Sequence, residues 1–240
     1  SLATAITPNL SALFSLNKLD SFRNLSKLYT RYVSFIGMPA AFMIAALSVP
    51  LMSIFGEQYV DSARPAAVIS IAIGITTFSS IYNSQLFVRG KTKWIMFANI
   101  SGLLVFISMI LISQVLNNSI DVNYLSYGRA LMIVSTALII SYKSYTLGDL
   151  KYDRKAIINS LLGSIIMSVS LYYLYTILFS SVSSTLSLLV LIPTGMAIYF
   201  IYLRQTRTFN QKDIEFIVKI ISINESNKIN TMKKILGIKN

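Results

Sequence analysis

The chain has 240 residues, 54% of them hydrophobic and only 12% charged, with a net charge of +12. A soluble domain carries about 25% charged residues, so polar surface is too scarce here to coat a globule, and lipid must cover the apolar excess. Cys and His are both absent, which excludes disulfides, thiolate metal sites and imidazole acid–base chemistry.

In chain order, residues 1–16 read as the end of a transmembrane helix whose start would precede Ser1, so the chain is expected to be the C-terminal part of something longer. Residues 17–32 read as a cytoplasmic loop, with Leu19, Phe22, Leu25 and Tyr29 at amphipathic spacing. Crossing a hydrocarbon core of roughly 30 Å takes about 20 apolar residues in a helix. Six segments within residues 33–203 meet that length: Val33–Phe55, Ala66–Val88, Trp94–Leu116, Leu125–Tyr145, Ile157–Phe179 and Thr185–Leu203. The expected fold is therefore an all-α, polytopic transmembrane helix bundle.

Pro39 and Pro50 both fall in the first full span. Each removes a backbone hydrogen bond and bends the helix, serving either as a hinge or as fixed shaping. Small residues recur at every fourth position, as Gly37, Ala41, Ala45, then Ala66, Ser70, Gly74, then Ser160, Ser164, Ser168. Such ladders read as packing seams between helices. Asn83, Gln85 and Asn99 are uncharged polar residues inside spans; they either face a central cavity or bond to neighbouring helices. Arg129 stands about one turn inside its span, where it either snorkels to the headgroups or faces a water-filled substrate path. No carboxylate falls within any of these spans, which argues against an intramembrane enzyme, and no metal site or cofactor is expected.

Of the 21 Lys and Arg residues, all but Arg64 and Arg129 fall in the loops and tail on one side of this topology. That side is cytoplasmic by the bias of cations towards the cell interior, which places the C-terminus there. The cations lie between apolar segments rather than along one soluble face, so they report topology and not a nucleic-acid partner. Asn117-Asn118-Ser119 matches a glycosylation triplet on the opposite side, but similar triplets at Asn24 and Asn224 make coincidence the simpler reading. Residues 204–240 form a basic tail. Within it Ile214, Ile217, Val218 and Ile221 mark an amphipathic helix suited to anionic membrane lipid.

Three stretches carry a family resemblance: PNLSALFSLNKLDSFRNLSKLYTRY, GMPAAFMIAALSVPLMSIFGEQYVDSARPAAVIS and QLFVRGKTKWIMFANISGL. With Pro8, Ser11, the Asp20-containing loop, Pro39, Pro50, Phe55-Gly56, Tyr59 and Gly90-Lys91 in this order, the chain resembles polysaccharide flippases of the multidrug/oligosaccharidyl-lipid/polysaccharide exporter superfamily. The resemblance spans roughly residues 1–115 and continues beyond only as hydropathy. It implies one lobe of a two-lobed MATE-like transporter in the cell membrane, holding the end of the eighth helix and the ninth to fourteenth. It also implies a lipid-linked glycan substrate and an N-terminal lobe as partner. Two alternatives stay open: a cation-coupled multidrug or metabolite antiporter of the same superfamily, and a non-catalytic membrane assembly subunit.

Overall fold

The computed structural model describes residues 2–117, 121–148, 152–179 and 183–208, and among these every regular element is helical. In chain order they are α1 (Leu2–Ser15), α2 (Leu19–Ala46), α3 (Ser48–Ser53), α4 (Ala63–Thr76), α5 (Ser80–Val88), α6 (Thr92–Asn117), α7 (Val122–Thr146), α8 (Arg154–Leu174) and α9 (Ser184–Gln205). A 3-10 segment, Glu57–Ser62, leads into α4, another, Thr77–Ser79, joins α4 to α5, and a π-helical turn, Tyr175–Phe179, follows α8. Neighbours run in the order α6, α7, α4, α2, α8, α9, with α1 laid against α2 and α5.

Among the described residues, five helical stretches are long and apolar enough to cross a bilayer: Glu57–Val88, Thr92–Val115, Val122–Thr146, Arg154–Leu178 and Ser184–Gln205. The chain is thus a multi-pass membrane protein built as an all-α bundle. Many of its large apolar side chains are exposed, as on α6, where Met96, Phe97, Leu104 and Leu111 all stand open. A water-soluble surface could not carry that load, whereas hydrocarbon solvates it.

The sixth expected span, Val33–Phe55, is not one such helix. It is broken at Leu47, between α2 and α3. Pro50 has no N–H to offer the Ala46 carbonyl four residues earlier, and its ring crowds that carbonyl, so the helix ends there and restarts. The expected loop at residues 17–32 is corrected too: from Leu19 onward it is the first half of α2. Neither Pro nor Gly occurs between Leu19 and Ile36. Its apolar stripe faces the core, with Phe22 buried against Ile6, Leu10, Val33 and Ile81 and Leu25 and Tyr29 partly buried beside it.

The small-residue ladders lie at helix contacts. A Cβ on Gly74 would come within 2.8 Å of the Phe42 ring and 3.2 Å of the Ala41 Cβ, so α4 touches α2 through bare backbone. Ser160 and Ser164 are fully buried on α8, and the Ser160 hydroxyl donates to the Ser34 carbonyl on α2 at 2.8 Å. Close approach of this kind is what holds helices together in lipid, where the hydrophobic effect gives no help.

The two ends of the bundle differ in charge. One end gathers Arg31, Arg89, Lys91, Lys93, Lys143, Arg154 and Lys155. There Arg31 bonds Asp153 at 2.5 Å, and Arg89 lies over the rings of Phe14 and Phe22 at 5.3 and 5.6 Å. The opposite end is tied by Ser53 to Ser184 at 2.6 Å and by Arg64 to the Tyr127 hydroxyl at 2.7 Å. The amphipathic tail helix and the glycosylation triplet predicted from sequence lie outside the described residues, apart from Asn117.

Candidate functional site

The sequence Thr76-Thr77-Phe78-Ser79-Ser80 places four hydroxyls in close succession in the middle of a membrane-crossing stretch. Each bonds back to the main chain: Thr76 to the Ala72 carbonyl at 2.8 Å, Thr77 to Ile73 at 2.7 Å, Ser79 to Thr76 at 2.6 Å and Ser80 to Thr77 at 2.9 Å. Hydroxyls compete in this way with the helical ladder, and here the α-helix tightens into the 3-10 turn Thr77–Ser79 before resuming as α5. The back-bonding also satisfies the hydroxyl protons without a partner helix, leaving the oxygens free to accept.

Thr76, Ser79, Ser80 and Asn83 then form one wall of a cleft of about 260 Å³. The facing wall is one stripe of α7 carrying Arg129, Met132, Ile133, Thr136, Ala137 and Ile140, and Asn99 of α6 closes the side. From Arg129 to Ile140 the stripe extends about 16 Å at the helical rise, so it passes the middle of the bilayer. Asn99 reaches the cleft because α6 and α7 touch at Gly102, where an added Cβ would meet Thr136 and Met132.

Among the described residues Arg129 supplies the cleft's only full charge. It stands about 10 Å along α7 from Val122, and its guanidinium donates to the Met132 sulfur at 3.2 Å, a weak acceptor. No carboxylate among the described residues lines the cleft. Asn99 donates to the Ile95 carbonyl of its own helix at 2.9 Å, leaving its carbonyl oxygen open. Asn83, Asn99 and Arg129 are all exposed. Polar groups at this depth cannot face hydrocarbon cheaply, so water or another polar surface must meet them.

Three of the four polar residues singled out from the sequence therefore share one cleft, and Gln85 does not. It is 1% exposed, and neither its Oε1 nor its Nε2 has a hydrogen-bond partner among the described residues. Residues two apart on a helix point about 200° apart, so Asn83 and Gln85 were bound to face opposite ways. The hydroxyls of Thr76, Ser79, Ser80 and Thr136 were missed by the sequence reading. For the first three, the signal was the cluster of hydroxyl residues in an apolar span.

Pro39 lies in a second cavity, also about 260 Å³, walled by Ile36, Ala40 and Met43 of α2 with Met167 of α8 and Met196 of α9. Pro50 sits buried in α3, just past the break at Leu47. At the basic end, burial works to raise the Asp153 carboxyl, but the Ala156 amide and the Arg31 guanidinium, with Lys27 nearby, together hold it below the usual carboxylate range. Asp153 also caps α8. Among the described residues no three potential ligands cluster to hold a metal ion.

Comparison of the chain with family models, curated proteins and solved structures gave no match.

Proposed function

We propose that the chain is one lobe of a transporter that moves lipid-linked oligosaccharide or polysaccharide precursors across the cytoplasmic membrane, with its basic end and C-terminus in the cytoplasm. The observation that carries this reading is the mid-membrane cleft, with one guanidinium, two carboxamides and a wall of hydroxyls. A glycan headgroup cannot enter hydrocarbon with its hydroxyls unpaired. A hydrated, hydrogen-bonding wall lowers that cost while the lipid tail stays in the bilayer. The resemblance over residues 1–115 points the same way. A cation-coupled antiporter is the weaker reading, because among the described residues the cleft offers a cation no carboxylate.

The reaction class is movement without covalent change, so the chain is read as a transporter and not an enzyme. The test is reconstitution of the full-length protein in vesicles, scoring how fast a lipid-linked oligosaccharide becomes accessible to an impermeant reagent. Arg129→Glu should slow delivery by tenfold or more. Delivery equal to that of protein-free vesicles would reject the reading.

A further inference from the structure

We propose that the corner where α6 begins and α7 ends is a binding site for the headgroup of an anionic membrane phospholipid. The α5–α6 turn is fixed by Gly90, whose φ of 67° suits glycine, with the Lys91 N–H bonded to the Leu86 carbonyl at 2.8 Å. That turn presents exposed Lys91 and Lys93 at the start of α6. The last turn of α7 packs beside it: the Lys143 ammonium stands 4.3 Å from the centre of the Trp94 ring, and Leu147 packs on the same core as Leu86 and Ala98. Lys143 is thus brought against the start of the helix whose first residues include Lys93, with Lys91 in the turn before it.

Some of the cations at the basic end are held by acids, and those of this corner are not. On the α2 and α8 side two cations have acids, Arg31 on Asp153 and Arg23 on Asp20. Among the described residues no carboxylate pairs with Lys91, Lys93 or Lys143. Uncompensated lysines at a membrane surface attract anionic lipid. The aromatic residues place the corner at headgroup depth. Trp94 is 39% exposed, and Tyr142 and Tyr145 are 69% and 67% exposed on α7, with the amphipathic rings that settle at the lipid–water boundary. A phosphodiester would accept from the ammonium groups while its acyl chains lie along the exposed apolar surface of α6 at Met96, Phe97 and Ile100. This assignment is independent of what the cleft carries.

Trp94 is the only tryptophan in the chain, so its fluorescence reports on this corner alone. The full chain is reconstituted in phosphatidylcholine vesicles containing the same mole fraction of brominated phosphatidylglycerol or brominated phosphatidylcholine, and quenching of Trp94 is compared. The expected result is a severalfold preference for phosphatidylglycerol that falls as salt is raised. K91Q/K93Q/K143Q should abolish the preference, while R154Q/K155Q, which removes cations elsewhere on the same end, should keep it. Equal quenching by the two lipids in the unaltered chain would overturn the proposal. So would a preference that survives the triple substitution or is lost equally in both variants. If the triple variant does not fold, the salt response of the unaltered chain decides.

Discussion

The Tyr199 hydroxyl on α9 lies 3.1 Å from the main-chain carbonyl of Phe35 on α2. That carbonyl stands four residues before Pro39, which has no N–H to give it. The carbonyl freed by Pro39 is therefore met from outside, by a phenolic proton that it shares with the Ser160 oxygen 2.8 Å away, since Ser160 gives its own proton to Ser34. Removing the hydroxyl in Tyr199→Phe strips the donor from a partly buried acceptor and should cost about 1 kcal/mol. Thermal unfolding in detergent measures the loss. Pro39→Ala supplies the missing N–H, so when combined with Tyr199→Phe it should recover part of the loss, and strictly additive effects would refute the link.

At the basic end, Arg31 is nearly buried and joins three elements. It bonds Asp153 at the start of α8, the Thr208 carbonyl just past α9, and stacks on Phe35 at 5.1 Å. The Asp153 carboxyl is held below its usual value of about 3.9. A group lowered in this way stabilises the fold at pH above its unfolded value and loses that contribution as the pH falls through its folded value. Asp153→Asn keeps the helix cap but abandons Arg31 and should cost about 3 kcal/mol at neutral pH. Melting temperatures measured from pH 7 down to 3 should fall in the acid range for the unaltered chain and fall less for the variant.

How much of this was legible beforehand depended on what hydrophobic length can report. Five spans were read correctly because an apolar run of that length has one cheap solution. The same measure joined Val33–Phe55 into a sixth and passed over Leu47, since it does not weigh the carbonyl that Pro50 abandons. It also assigned residues up to Tyr32 to a loop, because Lys27 and Arg31 look like loop charges until Asp153, 122 residues away in sequence, is brought beside Arg31. Asn83, Asn99 and Arg129 stood out as polar residues in apolar runs. That they share a cleft depends on α4–α5, α6 and α7 being neighbours, which no periodicity encodes. Gln85 stands out equally as a polar residue in an apolar run, but helix geometry sets it on another face from Asn83.

Gly74 tests the α2–α4 seam. Its missing side chain leaves room for the Phe42 ring, and Phe42 is itself buried in a core with Leu171 and Leu191. Gly74→Ala should cost about 1–3 kcal/mol through overpacking, despite the better helix propensity of Ala. The pairing with Phe42→Leu should be less than additive, since the smaller side chain opens the space that the new methyl needs. Chemical unfolding of the two single variants and the double variant checks it.

Whether the cleft holds water is open to direct chemistry, because the chain contains no cysteine to remove first. Single cysteines at Ser80 and Asn83 would stand on the cleft wall, and one at Leu104 would stand on the lipid-exposed surface of α6. Only the thiolate reacts with a charged thiol reagent, and hydrocarbon suppresses both ionisation and access. The Ser80 and Asn83 positions should therefore react at least about tenfold faster than Leu104 in intact vesicles. A further substitution, Arg129→Gln, should slow an anionic reagent at Asn83 more than a cationic one, because the guanidinium that draws the anion in is gone. Equal, slow labelling at all three positions would mean that Asn83, Asn99 and Arg129 are sealed against another helical surface. The cleft would then be a docking face, and the transport reading would lose the observation that carries it.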